Sequence, residues 1–360
     1  MDKSFFDKDV SFARVYQSLN ISAKLKVNAE DFIVDEYIPV DFSGDGEHCW
    51  VYIKKQGCNT DWLAQQLATF CGIKKMAVAY AGLKDRHAVT SQWFSVQLPG
   101  KPTPDWAVFE SAVNAEKSDE QVHVLQSCRH NRKLQRGALK SNAFKITLRE
   151  LSDTSDEKIA LLNERCQLIS QQGVPNYFGA QRFGRNYNNL DQAIKLFLKP
   201  RFRLPKHKRG IYLSTARSWL FNCILSERIE RQIWNKRLPG DVFMLEGKSA
   251  CFKDDGDTEI DDRLQRGDIH PTAPLWGDGE VMVSADALSL ESQIVDQFPV
   301  YRDGLVAARL QAQRRACRVL PGGLVGYRQD DDFIVSFSLP AGCYATMVLA
   351  EIFSELVDSA

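Results

Sequence analysis

The stretch from Ala79 to Thr90 constrains the fold of this chain most strongly, because it predicts two strands joined by a charged turn. An apolar run over residues 76–81 is typical of a short buried strand, and Gly82 allows the backbone to turn. Residues 94–98 alternate between apolar and polar and predict a second strand. The turn between them presents one carboxylate, Asp85, between two basic side chains.

Asp85 has two interpretations on spacing alone. An acid on a loop between strands is well placed for chemistry, because loops carry functional groups on a rigid scaffold. A turn aspartate can instead cap its own backbone by accepting a hydrogen bond from two residues further on. The local pattern favours the turn, so a functional role needs support from elsewhere in the chain.

The order of predicted elements indicates two domains. With 360 residues, 44% of them hydrophobic, the chain is long enough to bury two cores. Strands and helices alternate in the first part, a helix over 156–172 begins a more helical middle part, and a strand over 333–339 follows near the end. We predict a discontinuous domain of residues 1–168 and 314–360, interrupted by an inserted domain of residues 169–313.

The same periodicity predicts the elements that follow the middle helices. Residues from Trp234 to about Gly279 are acidic and contain glycines, which predicts an irregular stretch. A helical tail is then predicted through Arg318. The last predicted helix carries Val348, Ile352 and Leu356 on one face.

Charge is segregated along the chain, although the net charge is zero. Residues 129–149 hold seven lysines and arginines and no acid, residues 199–209 hold six more, and acids concentrate in residues 254–262. A third basic group consists of Arg309, Arg314, Arg315 and Arg318. Segregated charge lets a neutral chain present a positive face to phosphate groups, while each single run also has the interpretation of an ordinary solvated loop.

The sequence predicts neither a metal site nor a membrane anchor. The nine cysteines form no Cys-x-x-Cys pair and the six histidines do not cluster. No apolar run approaches the ~20 residues of a membrane helix, and residues 1–7 lack the apolar centre of a signal peptide. We expect a cytoplasmic protein without a metal, and a monomer because no long amphipathic face stands out.

Four stretches resemble the TruD family of tRNA pseudouridine synthases, in the family's order and over nearly the whole chain. They are Gly82-Leu-Lys-Asp-Arg-His-Ala-Val-Thr90, Asn142-Ala143-Phe144, Val174-Pro-Asn-Tyr-Phe-Gly-Ala-Gln-Arg-Phe-Gly184 and Leu339-Pro340-Ala341-Gly342. The resemblance implies an α+β fold, in which a mixed, mostly antiparallel sheet with flanking helices forms the catalytic domain and an α/β TRUD domain is inserted. It also implies isomerisation of uridine, at position 13 of tRNA, to pseudouridine. That reaction is redox-neutral and needs no cofactor.

The resemblance further implies site residues. Asp85 is the expected nucleophile, and Phe32, Asn142 and Phe337 are expected to contact the target nucleotide after it leaves its stack. Periodicity alone places Phe337 in a core, and an asparagine before a strand is usually a turn residue, so these roles rest on the resemblance. Three routes stay open for Asp85: attack on C1′ of the sugar, attack on C6 of the base, or removal of the C2′ proton.

Lys84 and Arg86 flank the expected nucleophile, and two roles carry equal weight for them. Either residue can help keep Asp85 ionised, since a nearby positive charge lowers the pKa of a carboxyl. Either can instead meet an RNA phosphate, because neighbours of Asp85 point away from it if the loop is extended.

Two other functions remain open on the sequence. An RNA-binding protein or RNA chaperone would carry the same basic runs without changing the uridine. A different RNA-modifying enzyme, such as a methyltransferase, would need a glycine-rich loop after a strand for its cofactor. Gly322–Gly326 is the nearest candidate for such a loop, but it follows Pro321 with no clear strand before it.

Overall fold

A computed structural model describes residues 11–116, 120–199 and 203–359, and these form two compact units. The first unit comprises residues 18–170, 321–342 and 352–359, and the second comprises residues 11–17, 171–320 and 343–351. The catalytic and inserted domain bounds given above stay a prediction. The amino-terminal residues 1–7 considered for a signal peptide, and Arg201 of the second basic run, lie outside the described residues.

Strands and helices alternate through both units. The strands are β1 (Ser22–Leu25), β2 (Phe32–Tyr37), β3 (His48–Gln56), β4 (Val78–Tyr80), β5 (Val89–Gln97), β6 (Gln121–His130), β7 (Ser141–Leu148), β8 (Val174–Pro175), β9 (Val242–Leu245), β10 (Cys251–Lys253), β11 (Ile269–Leu275), β12 (Gln313–Ala316), β13 (Arg318–Val319), β14 (Gly322–Gln329), β15 (Asp332–Pro340) and β16 (Glu355–Asp358). The helices are α1 (Thr60–Phe70), α2 (Trp106–Glu116), α3 (Asp156–Gln172), α4 (Asn188–Leu198), α5 (Lys206–Glu230), α6 (Ile260–Arg266), α7 (Ala285–Val295), α8 (Pro299–Ala307) and α9 (Ala345–Ile352).

One mixed sheet forms the framework of the first unit. Its strand order is β14-β15-β7-β2-β5-β3-β6, and β4 pairs with β5 beside this path. Only β2 and β5 run parallel among these neighbours, within the part of the chain that the structure describes. β1 and β16 form a separate parallel pair. The predicted α+β class with a mostly antiparallel sheet is confirmed.

Alternation along β3 sorts its side chains into two cores. Cys49, Val51 and Ile53 are fully buried, and they pack in one cluster with residues of α1 and α2. Trp50 and Tyr52 join a second cluster that contains Trp93. Because successive strand residues point to opposite faces, this strand is buried on both sides of the sheet.

Strand register brings a set of polar and aromatic residues to the α1 side of the same sheet. Lys55 pairs with Thr90, and Thr90 pairs with Val34 across the parallel strands. Two positions along β2, Glu36 pairs with Asn142. Paired residues project to one face of a sheet, so Lys55, Glu36 and Asn142 share the face on which the loop between β4 and β5 lies.

The second unit is also mixed. Its antiparallel sheet has the order β10-β9-β11-β12, and α4, α5, α7 and α8 contribute to a core that includes Trp219 and Tyr301. Within it, the fully buried side chains of Arg228 and Asp241 form two parallel hydrogen bonds of 2.9 and 2.7 Å. A paired geometry of this kind compensates both charges for the loss of water.

Three predictions from periodicity are wrong. The stretch expected to be irregular up to Gly279 contains β9, β10, α6 and β11. The predicted helical tail ends with α8 at Ala307, and residues 313–316 form β12 against β11. Leu356 lies in β16 rather than in α9, because it pairs with Ala23 of β1. Pairing with strands distant in sequence outweighs local preference at these positions.

Candidate functional site

The loop between β4 and β5 presents Asp85 with both carboxylate oxygens engaged. The backbone N–H of His87 donates to Oδ1 at 3.0 Å, which is the turn arrangement that spacing alone favours. Lys26 Nζ donates to Oδ2 at 2.7 Å. Asp85 therefore both caps its own turn and pairs with a cation, and these two contacts hold the carboxylate in one orientation.

Lys26 is a buried cation that directly follows β1. Its side chain is 5% exposed, whereas that of Asp85 is 35% exposed. Lys26 Nζ also lies 5.1 Å from the ring centroid of Phe32 and 3.5 Å from Asp358 Oδ2. A buried ammonium needs a negative partner, so Lys26 fixes Oδ2 of the Asp85 carboxylate, which remains partly exposed to solvent.

The electrostatics of this pair keep Asp85 ionised. Burial by itself would raise the pKa of the Asp85 carboxyl. The hydrogen bonds from Lys26 and from the His87 N–H, together with the charge of Lys26, outweigh burial and hold that pKa below its ordinary value of 3.8. Asp85 is thus a carboxylate at neutral pH, as a nucleophile or a base must be.

Lys55 holds the backbone of the Asp85 loop through hydrogen bonds to carbonyl oxygens. Its Nζ donates to the carbonyl oxygens of Cys58 and Asp85, at 2.7 and 3.1 Å. The residue is 1% exposed, and burial lowers the pKa of its ammonium group. The Gly57 N–H donates to the Arg86 carbonyl at 3.1 Å, so the loop is tied to the end of β3 at both Asp85 and Arg86.

A second set of hydrogen bonds fixes the entry to the loop. Thr60, at the start of α1, accepts from the Lys84 N–H at 2.9 Å and donates to Gln92 Oε1 at 2.8 Å. Gln92 in turn donates to the Gly82 carbonyl at 3.2 Å. The loop is therefore braced by α1 and β5, and its geometry is set before a ligand binds.

We expect Lys55→Met to destabilise the protein by about 2 kcal/mol, because it leaves two carbonyl oxygens without their buried donor. Urea unfolding followed by circular dichroism measures this as a lower midpoint. Lys54→Met is the matched control, since Lys54 is the exposed neighbour on the same strand. Equal midpoints for the two variants would contradict the anchoring role of Lys55.

Lys84 contacts Asn142 and Glu36, although it is the sequence neighbour of Asp85. Its Nζ lies 2.6 Å from Asn142 Oδ1 and 3.0 Å from Glu36 Oε2. The side chains of Lys84 and Glu36 are 7% and 0% exposed. Burial raises the pKa of the Glu36 carboxyl, while the charge and the hydrogen bond of Lys84 oppose that rise.

The remaining expected site residues form an aromatic row and an exposed cation. Phe32 and Phe337 are buried, and both contact Phe144, with ring centroids 6.2 and 5.3 Å apart. Lys26 thus contacts both Asp85 and Phe32, and Lys84 contacts Asn142. Phe337 contacts Phe144, which in turn contacts Phe32. The Arg86 side chain is exposed at the loop surface.

Sequence reasoning missed three charged residues of this site: Lys26, Lys55 and Glu36. Two of them left a signal. Lys55 continues the alternation of Cys49, Val51 and Ile53, and Glu36 continues that of Phe32 and Val34, so each occupies a position on a buried strand face. A charge at such a position calls for a buried partner.

The third basic group does not form a phosphate-facing surface. Arg314 pairs with Glu291 through two hydrogen bonds of 2.9 and 2.6 Å. Arg315 donates to Asn176 and stacks on Phe178, 4.2 Å from the ring centroid. The buried Arg318 donates to His270 Nδ1 and to backbone carbonyls. These three guanidinium groups stabilise the second unit from inside, which corrects the prediction for them, whereas Arg309 of the same group is exposed.

The glycine-rich stretch considered for a methyltransferase is not a loop. Residues 322–329 form β14, which pairs with β15. No group of three or more His, Cys, Asp or Glu side chains suited to a metal ion occurs in the described residues. In the same parts of the chain, no helix has both the length and the apolar character needed to cross a bilayer.

Comparison with known proteins identifies the family. The family model of tRNA pseudouridine synthase D (TruD) matches residues 12–203 and 186–352. The chain belongs to the TruD family. The predicted resemblance is thus confirmed over nearly the whole described chain.

This chain aligns with individual TruD relatives over almost their full length. The chain is 45% identical to tRNA pseudouridine synthase D of Methylococcus capsulatus over 94% of this chain and 93% of the relative. It is 42% identical to tRNA pseudouridine synthase D of Hydrogenovibrio crunogenus over 95% and 96%. The crystal structure of a protein from Methanosarcina mazei, proposed to be a tRNA pseudouridine synthase D (TruD), shares the fold. Its TM-score is 0.70, at 22% identity and with 95% and 96% of the two chains covered.

Proposed function

We propose that this TruD-family chain isomerises uridine to pseudouridine in tRNA and that Asp85 is the nucleophile. The observation that carries the proposal is the ion pair of Asp85 with the buried Lys26, at 2.7 Å. It keeps the carboxylate ionised and oriented while leaving the side chain partly exposed. The names of relatives at 45% and 42% identity supply the substrate class.

The reaction asks little of the protein beyond a carboxylate and a shaped site. The N1–C1′ glycosidic bond breaks, the uracil rotates, C5 bonds to C1′ and releases its proton, and N1 takes up a proton, so no electrons leave the substrate and no redox cofactor is needed. Asp85 attacks C1′, attacks C6, or takes the C2′ proton. A carboxylate suits a covalent route because it is both a competent nucleophile and a leaving group.

The target base must leave its stack to reach Asp85, at a cost of a few kcal/mol. We place the flipped uracil against the Asn142 amide, beside the aromatic row of Phe32, Phe144 and Phe337. Contact with aromatic rings offsets the unstacking at ~1–3 kcal/mol per base. The exposed Arg86 is placed to meet a phosphate flanking the target nucleotide.

Position 13 of tRNA is the proposed target. The experiment incubates the purified full chain, without added cofactor, with a tRNA transcript that has uridine at position 13, and with a matched transcript that has cytidine there. Pseudouridine is mapped by carbodiimide modification and primer extension. We expect one modified position, at 13, in the first transcript only.

Pseudouridine at another position would contradict position 13 as the target and would still support the proposed reaction. Tight binding of both transcripts without modification of either would favour the RNA-binding protein or chaperone instead.

A further inference from the structure

The buried pair of Lys84 and Glu36 lies directly beside Asn142, and its geometry determines which way the asparagine amide faces. Lys84 Nζ donates to Asn142 Oδ1 at 2.6 Å. A lysine ammonium carries three donors and no acceptor. Only the amide oxygen can therefore face Lys84, because a flipped amide would place its N–H groups against a positive charge.

Glu36 holds Lys84 in this position. Its carboxylate is 0% exposed and lies 3.0 Å from Lys84 Nζ. It is also the register partner of Asn142 on the neighbouring strand, and the Trp93 N–H donates to its other oxygen at 3.4 Å. The three side chains thus form one connected group across β2, β7 and the Asp85 loop.

The fixed amide leaves a defined set of hydrogen-bonding groups for a ligand. Asn142 is half-buried, and within residues 11–116, 120–199 and 203–359 its Nδ2 donates to no protein acceptor. Its Oδ1 retains a second lone pair, since Lys84 uses only one. Asn142 therefore presents a donor at Nδ2 and an acceptor at Oδ1.

This pattern distinguishes uracil from cytosine. Uracil offers the O4 acceptor next to the N3–H donor, which matches Nδ2 and Oδ1 of Asn142. Cytosine offers an N4 amino donor next to an N3 acceptor, so both of its groups would face a like group. An amide flipped by 180° would accept cytosine, and that is the orientation that Lys84 blocks.

We propose that Lys84 is a positioning residue, held by Glu36, that locks the Asn142 amide in the orientation that accepts uracil and rejects cytosine. The inference rests on the proposed function, because it assigns a role within the same site. It replaces a phosphate contact for Lys84 with a role in base selection.

The test compares Lys84→Met with Lys84→Arg in single-turnover isomerisation of tRNA. Methionine keeps the length of lysine and removes its donors, whereas arginine keeps donors and charge. We expect Lys84→Met to lower the rate constant about tenfold, the size of effect of one lost charged hydrogen bond, with tRNA affinity and its salt dependence unchanged. Lys84→Arg is expected to retain more of the rate. A weaker, less salt-dependent affinity with an unchanged rate constant would show a phosphate contact and overturn the proposal.

A double-mutant comparison shows whether Lys84 acts through Asn142. In an Asn142→Ala background we expect Lys84→Met to have no further effect on the rate constant, since the group that it positions is gone. Full additivity of the two substitutions would overturn the proposal.

Inhibition by tRNA with cytidine at the target position is the selectivity readout. We expect Lys84→Met to bind this competitor more tightly than wild type does, and equal inhibition would count against amide locking.

Folding and positioning can be separated. Lys84→Met leaves the Glu36 carboxylate buried without its cation, so the Glu36→Gln/Lys84→Met variant provides a neutral replacement for the whole pair. We expect it to fold and still to show the loss in rate and in selectivity. A folded double variant with wild-type rate and selectivity would overturn the inference alone, whereas a wild-type protein that makes no pseudouridine would overturn the proposed function itself.

Discussion

Asp85→Asn is expected to lower pseudouridine formation by more than about a thousandfold, because loss of a nucleophile removes the step on which the reaction depends. The asparagine keeps the shape of the side chain and an oxygen for Lys26, but it has no negative charge. tRNA affinity, measured by filter binding, is expected to stay near that of wild type, because the substitution leaves the exposed basic side chains untouched.

Asp358→Asn is the matched control for that result. Asp358 is the other carboxylate near Lys26 Nζ, at 3.5 Å compared with 2.7 Å for Asp85. We expect this control to keep its turnover within about tenfold of wild type. Similar losses in both variants would show that the charge balance around Lys26 matters, and not the reactivity of Asp85.

Lys26→Met is expected to lower turnover at neutral pH by about a hundredfold, the effect of removing one preorganised electrostatic partner. Burial raises the pKa of the Asp85 carboxyl, and without the hydrogen bond and charge of Lys26 less opposes that effect, so the pKa rises relative to wild type. The acidic limb of the pH profile of kcat/KM should therefore lie at higher pH in the variant than in wild type.

The same pair has a defined effect on stability. Because the folded-state pKa of Asp85 is depressed, its ion pair stabilises the protein above the unfolded-state pKa, and this contribution is lost as the pH falls through the folded-state value.

Lys26→Arg keeps the charge and is expected to keep the wild-type acidic limb of the pH profile of kcat/KM. A Lys26→Met variant whose acidic limb coincides with that of wild type would contradict the role assigned to Lys26.

Sequence patterns predicted the fold well where structure depends on local signals. The helix over residues 156–172 has the predicted bounds, because it combines an apolar stripe with a stop at Gly173, whose φ is +80°. Predictions failed where strands pair over long distances. Leu356 fits a helical stripe with Val348 and Ile352, but its pairing with Ala23 of β1 places it in a strand.

The candidate site was only partly predictable for a related reason. The family motif located Asp85 and its immediate neighbours, but the partner of Asp85 is Lys26, 59 positions earlier in the chain. No spacing rule connects a lysine after one strand with an aspartate on a distant loop. The contact of Lys84 with Asn142 was not predictable either, because it depends on the register between β2 and β7.

Release of tritium from tRNA labelled at C5 of uridine tests the central claim most directly, since C5 gives up its hydrogen when it bonds to C1′. Wild type, Asp85→Asn and Asp358→Asn are compared on the same transcript without added cofactor. We expect release by wild type and by Asp358→Asn, and none by Asp85→Asn. Undiminished release by Asp85→Asn would contradict the assignment of the nucleophile. No release by a wild-type protein that still binds the transcript would contradict the proposed reaction.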